Sequence, residues 1–304
     1  MNVVNRALTL IGIVAVSGVF VYATYQNEES NSENQQQEAK VNDYNVYALD
    51  VPESLNFAGE EMPLYKQDIY ERIDRELLVN TYWQSNGLLL IKRSKKYFPV
   101  IEPILEKYGV PNDFKYLAVI ESGLTQAVSP AKATGFWQIL KNTGRELGLE
   151  VNQNVDERYH VEKATEAACK YLLDSKQKMG SWTLAAAAYN AGNHGIQKYM
   201  DQQKVNNYYD LLLGQETGRY VFRIVAIKQI LENASKYGFN FSDRHLYSLP
   251  ETNLVTVDTA VTDFPDFAKR FGLTYKDLKL HNPWLRERHL NNASRKVYEI
   301  KIPK

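Results

Sequence analysis

The stretch Phe114-Lys115-Tyr116-Leu117-Ala118-Val119-Ile120-Glu121-Ser122-Gly123 decides how this chain reads. Asn112 and Asp113 follow Pro111 and are residue types that cap a helix and fill its first turn, so a helix is expected to begin there. Phe114, Leu117 and Ala118 fall at i, i+3 and i+4 on one apolar face, and the next position on that face, i+7, is Glu121. A carboxylate therefore stands where the periodicity asks for a core side chain. Burial disfavours the charged form, so a Glu held there should titrate high and keep its proton near neutrality, as a general acid must. The alternative is a Glu at the helix end that turns to water or caps a neighbour. Buried unpaired acids are rare, and this helix alone does not choose between the two.

The bulk of the sequence narrows the classes. A chain of 304 residues can hold one sizeable core with one or two smaller modules. Its 36 basic and 36 acidic residues balance, which removes the electrostatic case for a nucleic-acid partner. Aromatic residues make up 12%, with 21 Tyr, which suits stacking on sugars and packing long helices equally. Cys169 is the sole cysteine, so an intrachain disulfide is excluded; within the helical pattern of residues 167–172 it reads as a small core residue. His160, His194, His245, His281 and His289 are scattered without ligand spacing, so neither a metal site nor any other cofactor is expected.

Residues 1–26 are expected to be a signal peptide or membrane anchor. Arg6 precedes an uncharged run over residues 7–25, whose length lies between a signal-peptide core and a short spanning helix. Val21-Tyr22-Ala23 would serve as a cleavage site, and with no cysteine nearby a bacterial lipoprotein anchor is excluded. Arg6 on one side and Glu28 and Glu29 on the other would leave the bulk of the chain outside the cytoplasm. The expectation is export to the periplasm or cell envelope, either released or held to the inner or outer membrane through the N-terminus. Residues 27–45 are mostly Asn, Gln, Glu and Ser and read as a flexible linker. Beyond Ser54 the composition turns globular, and helical spacing runs through residues 68–78, 88–97 and 98–108, three stretches expected to support the helix bearing Glu121.

Three further strings stand out. Ser129-Pro130-Ala131-Lys132-Ala133-Thr134-Gly135-Phe136-Trp137-Gln138 carries turn punctuation at Ser129-Pro130 and Gly135, and Gln138 is expected to open a helix. Leu184-Ala185-Ala186-Ala187-Ala188-Tyr189-Asn190-Ala191-Gly192 reads as a small-sided helix with its stop at residues 190–192. Glu216-Thr217-Gly218-Arg219-Tyr220-Val221-Phe222-Arg223 begins a helix running to about Glu232. Taken singly, Gln138 and Asn190 read as helix caps, the Ala run as core packing, and Phe136 and Trp137 equally as core or as a sugar platform.

In order, Glu-Ser, Ser-Pro-x-x-Ala-x-Gly-x-x-Gln, Ala-Tyr-Asn-Ala-Gly and Glu-Thr-x-x-Tyr resemble the soluble-lytic-transglycosylase domain of the lytic murein transglycosylases. The resemblance implies a mainly α, lysozyme-like fold over residues 46–248 whose cleft grips the glycan strands of peptidoglycan. It implies that Glu121 is the single catalytic acid/base, with Tyr189 and Asn190 beside it. Ser129, Gln138 and Asn190 would fix the sugars by hydrogen bonds, and Ser122, which follows the catalytic Glu, would join them as a substrate contact, as would Glu216 and Tyr220 of the last motif, where Glu216 is as readily structural as direct. Lys132 stands where the family usually has glycine; if that position needs a positive φ, Lys132 costs strain, and it would also set a cation beside the peptide stem. Asp156-Glu157-Arg158 resembles a turn of the family but reads more simply as a surface ion pair.

The implied chemistry uses one carboxyl group where many glycosidases use two. Protonated Glu121 would donate to the oxygen linking N-acetylmuramic acid to N-acetylglucosamine, helped by the neighbouring acetamido group. As a carboxylate it would then take the proton of the muramic sugar's six-position hydroxyl, whose intramolecular attack gives a 1,6-anhydro end. Tyr189 would hold Glu121 or the acetamido group. A same-fold hydrolase of peptidoglycan or chitin would need a second carboxylate to activate water. A catalytically silent peptidoglycan-binding scaffold would have no use for an acid on an apolar face. The sequence indicates no protein partner.

After Leu249-Pro250 the chain reads strand, helix, helix, strand over residues 254–259, 265–271, 274–280 and 297–302. Phe267-Ala268-Lys269-Arg270-Phe271-Gly272-Leu273-Thr274, Leu278, Asn282-Pro283 and Ile300-Lys301-Ile302-Pro303 resemble a LysM module, a small βααβ unit that binds N-acetylglucosamine chains, here over residues 249–304. The usual glycine-containing loop after the first strand is replaced by Thr259-Ala260-Val261-Thr262-Asp263, which leaves glycan binding by this module open.

Overall fold

The structure, a computed structural model, describes residues 45–304; the expected leader and nearly all of the linker lie outside the described residues. A short hairpin of β1 (Asn56–Phe57) and β2 (Glu60–Glu61) leads into α1 (Gln67–Tyr82) and α2 (Gln84–Tyr108). Then come α3 (Lys115–Ser122), α4 (Lys141–Glu146), α5 (Val161–Met179), α6 (Trp182–Ala191), α7 (Asn193–Gln203) and α8 (Gln215–Glu232). Among the described residues no helix is long and apolar enough to cross a membrane.

The helix α3 is short and central. It packs on α2 and α8, and Phe114, Leu117 and Ala118 are wholly buried, as the spacing requires. Its start differs from expectation: residues 112–114 form a 3-10 turn whose N-cap position is Pro111, so Asn112 is no cap, while Asp113 does fall in the first turn. The Asp113 carboxylate accepts from the Ala58 backbone N–H and from Lys228 Nζ, each at 2.7 Å, tying the hairpin and α8 to the base of α3. The two helices expected over residues 88–97 and 98–108 are one, α2, running through Pro99 and Pro103. A proline inside a helix costs about 3 kcal/mol through the lost hydrogen bond and the crowded carbonyl one turn back. Buried Leu90 and Ile91 before Pro99, and Ile101 and Leu105 after it, hold both halves on the same core.

The Ala run of α6 is fully buried from Leu184 to Ala188, which lets α5 and α8 approach closely. Its N-terminus is fixed twice: Ser181 Oγ accepts from Leu184 N, and the Glu60 carboxylate accepts from the backbone N–H of Trp182 and Thr183. A carboxylate at a helix N-terminus meets unpaired N–H groups and the positive end of the helix dipole. Cys169 is buried in α5, and burial pushes its thiol up to about 12.

The C-terminal part has the expected βααβ order. β3 (Thr252–Val257) pairs antiparallel with β4 (Tyr298–Pro303), Val255 opposite Ile300, with α9 (Phe264–Lys269) and α10 (Tyr275–His281) between them. Asp263 caps α9, and Thr274 with Asp277 forms a capping box on α10. Phe264, Leu278, Leu285 and Ile300 form its core, which also takes in Val155 and Tyr159 from the helical part.

Candidate active site

A cleft of about 670 Å³ opens beside the C-terminal end of α3. Glu121, Ser129, Gln138, Tyr189, Asn190 and Glu216 line it, with Leu140, Thr143, Leu147 and Tyr171 among the other walls. Six of the eight residues singled out in the sequence therefore converge. Ser122 and Tyr220 stand behind them.

Glu121 sits in the last turn of α3, which ends at Gly123 in the left-handed region with φ 59°. The Tyr220 hydroxyl, from α8, donates to Glu121 Oε1. One turn along α8, Arg223 Nη2 donates to the Ile120 carbonyl at 3.1 Å. Burial pushes the Glu121 carboxyl above its usual range; the Tyr220 hydrogen bond and the Arg223 charge pull it back, while the Glu216 charge pushes it up again. The net direction is upward, so the carboxyl keeps its proton to higher pH than a free glutamate does. Of the two sequence readings of Glu121, the partly buried acid is the one observed.

The expected partner of Glu121 is displaced by one tyrosine. Tyr189 lines the cleft, but its hydroxyl donates to the Trp137 carbonyl at 2.7 Å, and its ring meets Tyr171 edge-on at 5.3 Å. Tyr220, read from sequence as a sugar contact, is the residue that holds the carboxylate. Both phenols are pushed well above their usual range by burial first and by the Glu121 charge next, so both stay neutral. Ser122 also faces away from the cleft: its Oγ lies 2.9 Å from the Phe136 carbonyl and 3.2 Å from that of Ala118, so α3 is stitched to the following loop.

That loop, residues 124–140, carries Ser129 and Gln138. Gln138 does not open a helix. It is left-handed, with φ 46°, and α4 begins only at Lys141. Its Nε2 donates to the carbonyls of Ala127 (3.1 Å) and Gly135 (2.9 Å), so what Gln138 offers a ligand is its carbonyl oxygen, an acceptor. Ser129 Oγ accepts from Ala133 N at 3.0 Å and closes the turn. Lys132 adopts φ 63°, the glycine-like conformation that its unusual position made a question. Asn190 bridges α6 and α8, donating to Glu216 Oε1 at 3.1 Å and accepting from Thr217 Oγ1 at 2.7 Å.

Arg158 was missed. The 156–158 turn is not a surface ion pair: Asp156, Glu157 and Arg158 are all buried. Asp156 grips the Arg158 guanidinium at two points, 2.9 and 2.7 Å, and Arg158 Nη1 donates to the carbonyls of Lys132 and Ile139, each at 3.1 Å. Gly135 packs so tightly there that a Cβ would lie 2.1 Å from the Arg158 carbonyl oxygen. A pair two residues apart looks like any exposed turn in sequence, and only the turn's resemblance to one of the family pointed elsewhere. Among the described residues no group of three or more His, Cys, Asp or Glu side chains is placed to hold a metal ion.

Much of the sequence that builds this cleft matches a known family. Residues 99–212 match the transglycosylase SLT domain, and residues 253–304 match the soluble lytic transglycosylase C-terminal LysM-like domain. The chain thus carries an SLT transglycosylase domain followed by a LysM-like domain. It is homologous to membrane-bound lytic murein transglycosylase D of Escherichia coli (strain K12), with 35% identity over 153 residues, 48% of this chain and 34% of the relative. Membrane-bound lytic murein transglycosylase F of Cronobacter sakazakii is 32% identical over 106 residues, 31% of this chain and 19% of the relative. The matched part thus spans about a third of the transglycosylase D relative, at 34% of its length.

Proposed function

We propose that this chain is an exported lytic transglycosylase that cleaves the bond between N-acetylmuramic acid and N-acetylglucosamine in peptidoglycan without consuming water. The observation that carries this reading is Glu121: a carboxyl in the cleft wall, at the end of a buried helix, raised by burial and held by a neutral tyrosine. The names of the matched domains and relatives support the same class of chemistry. Glu121 gives its proton to the leaving oxygen and, as the carboxylate accepting from Tyr220, takes the proton of the six-position hydroxyl. The Gln138 carbonyl, Ser129 and Asn190 hold the sugars, and Tyr189 shapes the wall. Glu216 organises Asn190 and raises the proton affinity of Glu121.

In this reading residues 1–26 direct export or anchor the chain, residues 27–45 tether it, residues 46–248 cut, and residues 249–304 form the LysM-like module. The place of action is the cell envelope. The presence of Glu216 in the same cleft favours one rival, a hydrolase in which Glu216 activates water. Mass spectrometry of peptidoglycan digested by the wild-type chain and by Glu121→Gln separates them. Anhydro-ended fragments from wild type alone support the transglycosylase; reducing ends transfer the assignment to the hydrolase; binding without fragments leaves only a scaffold.

A further inference from the structure

The segment 150–162 has two faces. One meets the C-terminal module: the Asp156 backbone N–H donates to the Trp284 carbonyl at 2.9 Å, and Arg286 N donates to the Asn154 carbonyl at 2.8 Å. On the same face Val155 pairs with Leu285 as a β-bridge, and the Arg286 guanidinium lies 3.9 Å over the Tyr159 ring. Lys296 Nζ reaches Glu150 at 2.6 Å, and the Tyr298 hydroxyl reaches it at 3.0 Å. The other face holds the cleft loop: Arg158 binds the Lys132 and Ile139 carbonyls, Gly135 rests on the Arg158 backbone, and Gln126 Nε2 donates to the Tyr159 carbonyl at 2.9 Å. Asp156 belongs to both, since its N–H is held by the module and its carboxylate aims Arg158.

We propose that the C-terminal module is a working part of the cleft: through Asp156 and the positioning residue Arg158 it fixes the loop that presents Ser129 and Gln138. The loop needs such a clamp. Lys132 and Gln138 both occupy left-handed backbone that non-glycine residues keep only when their surroundings impose it, and Arg158 grips the loop at Lys132 and beside Gln138. A module that merely collected substrate would act on affinity for the wall and leave turnover of short soluble chains alone. A module that braces the cleft acts on turnover itself.

The activity arm of the test rests on the proposed function; the exchange arm does not. In the full chain, Lys296→Glu sets a carboxylate against Glu150 and Glu157, and Arg286→Glu removes the cover from Tyr159. Hydrogen exchange over residues 126–139 should rise about tenfold while residues 184–190 stay protected. On a short soluble glycan fragment kcat should fall about tenfold with KM little changed. Lys296→Glu alone should show the same change, and adding Glu150→Lys to it should restore both. Should the double reversal unfold the module, Lys296→Met carries the same test. Unchanged exchange over residues 126–139 overturns the proposal, and so does unchanged kcat in an active enzyme. If wild type releases no fragments the functional reading fails, and the exchange arm still decides whether the module braces the loop.

Discussion

Tyr220→Phe isolates one hydrogen bond. The ring stays, buried on α8, and only the hydroxyl that donates to Glu121 Oε1 is lost. That bond favours the charged carboxylate and opposes the burial that favours the protonated form. A hydrogen bond to an ionised group is worth about 1.5–3 kcal/mol, and one pKa unit is about 1.36 kcal/mol, so the Glu121 titration should move up by about one to two units. The donor form of Glu121 is the protonated one, so activity declines as pH rises through this titration. In Tyr220→Phe the decline should begin about one to two units higher than in wild type. The assay is the initial rate of soluble fragment release from purified peptidoglycan, from about pH 4 to about pH 9 at constant ionic strength. Superimposable alkaline limbs, or a limb moved down, would refute the reasoning and with it the role of Tyr220 as the group that holds the carboxylate.

Glu121→Gln should lose activity yet gain stability: a carboxyl whose folded pKa is raised weakens the fold as pH climbs from its ordinary value near 4.5 through the raised one, so the variant's melting advantage should grow across that window and then level off. Gly135→Ala, with φ 79° and a Cβ placed 2.1 Å from a backbone oxygen, should cost about 3 kcal/mol or more. Gly148→Ala, whose new Cβ would meet only the flexible end of Lys170 at 3.9 Å, should cost only about 1 kcal/mol, both variants being measured by denaturant titration. Lys132→Gly should remove about 1 kcal/mol of backbone strain and raise the melting temperature by about 2–4 °C with activity retained.

The part of this molecule that sequence displays best is the part that repeats locally. Phe114, Leu117, Ala118 and Glu121 share a helical face that can be counted off the chain, and the strings around Ser129, Tyr189 and Glu216 lead to the cleft. What sequence hides is the direction in which a polar side chain turns once helices pack. Tyr189 and Tyr220 are both tyrosines beside Glu121, and only the packing of α8 against α3 and α6 decides which hydroxyl reaches it. Gln138 looked like a helix opener because Ile139 and Leu140 follow it. The start at Lys141 has no side-chain cap to announce it, and the left-handed turn at Gln138 is imposed by contacts with Ala127 and Gly135. Asp113 reads as a plain first-turn acid because that signal is local; its partners, Ala58 and Lys228, lie far away along the chain. The stretches 88–97 and 98–108 merge into one helix because the cost of Pro99 and Pro103 is local and the packing that offsets it is not.

The helix α8 has a bearing on inheritance. The matched transglycosylase region begins at residue 99, inside α2, and ends at residue 212, before α8 starts at Gln215. Yet α8 supplies Glu216, Tyr220 and Arg223 and packs along α1, while the hairpin before α1 provides the carboxylate that caps α6. A recombination event at the edges of the recognisable region would sever a helix and transplant an acid stripped of the tyrosine that governs its proton. The piece that can move between proteins with its chemistry intact begins at the first hairpin and runs on through α8 to the C-terminal module that holds Asp156, and lineages that exchange it should do so along those wider seams.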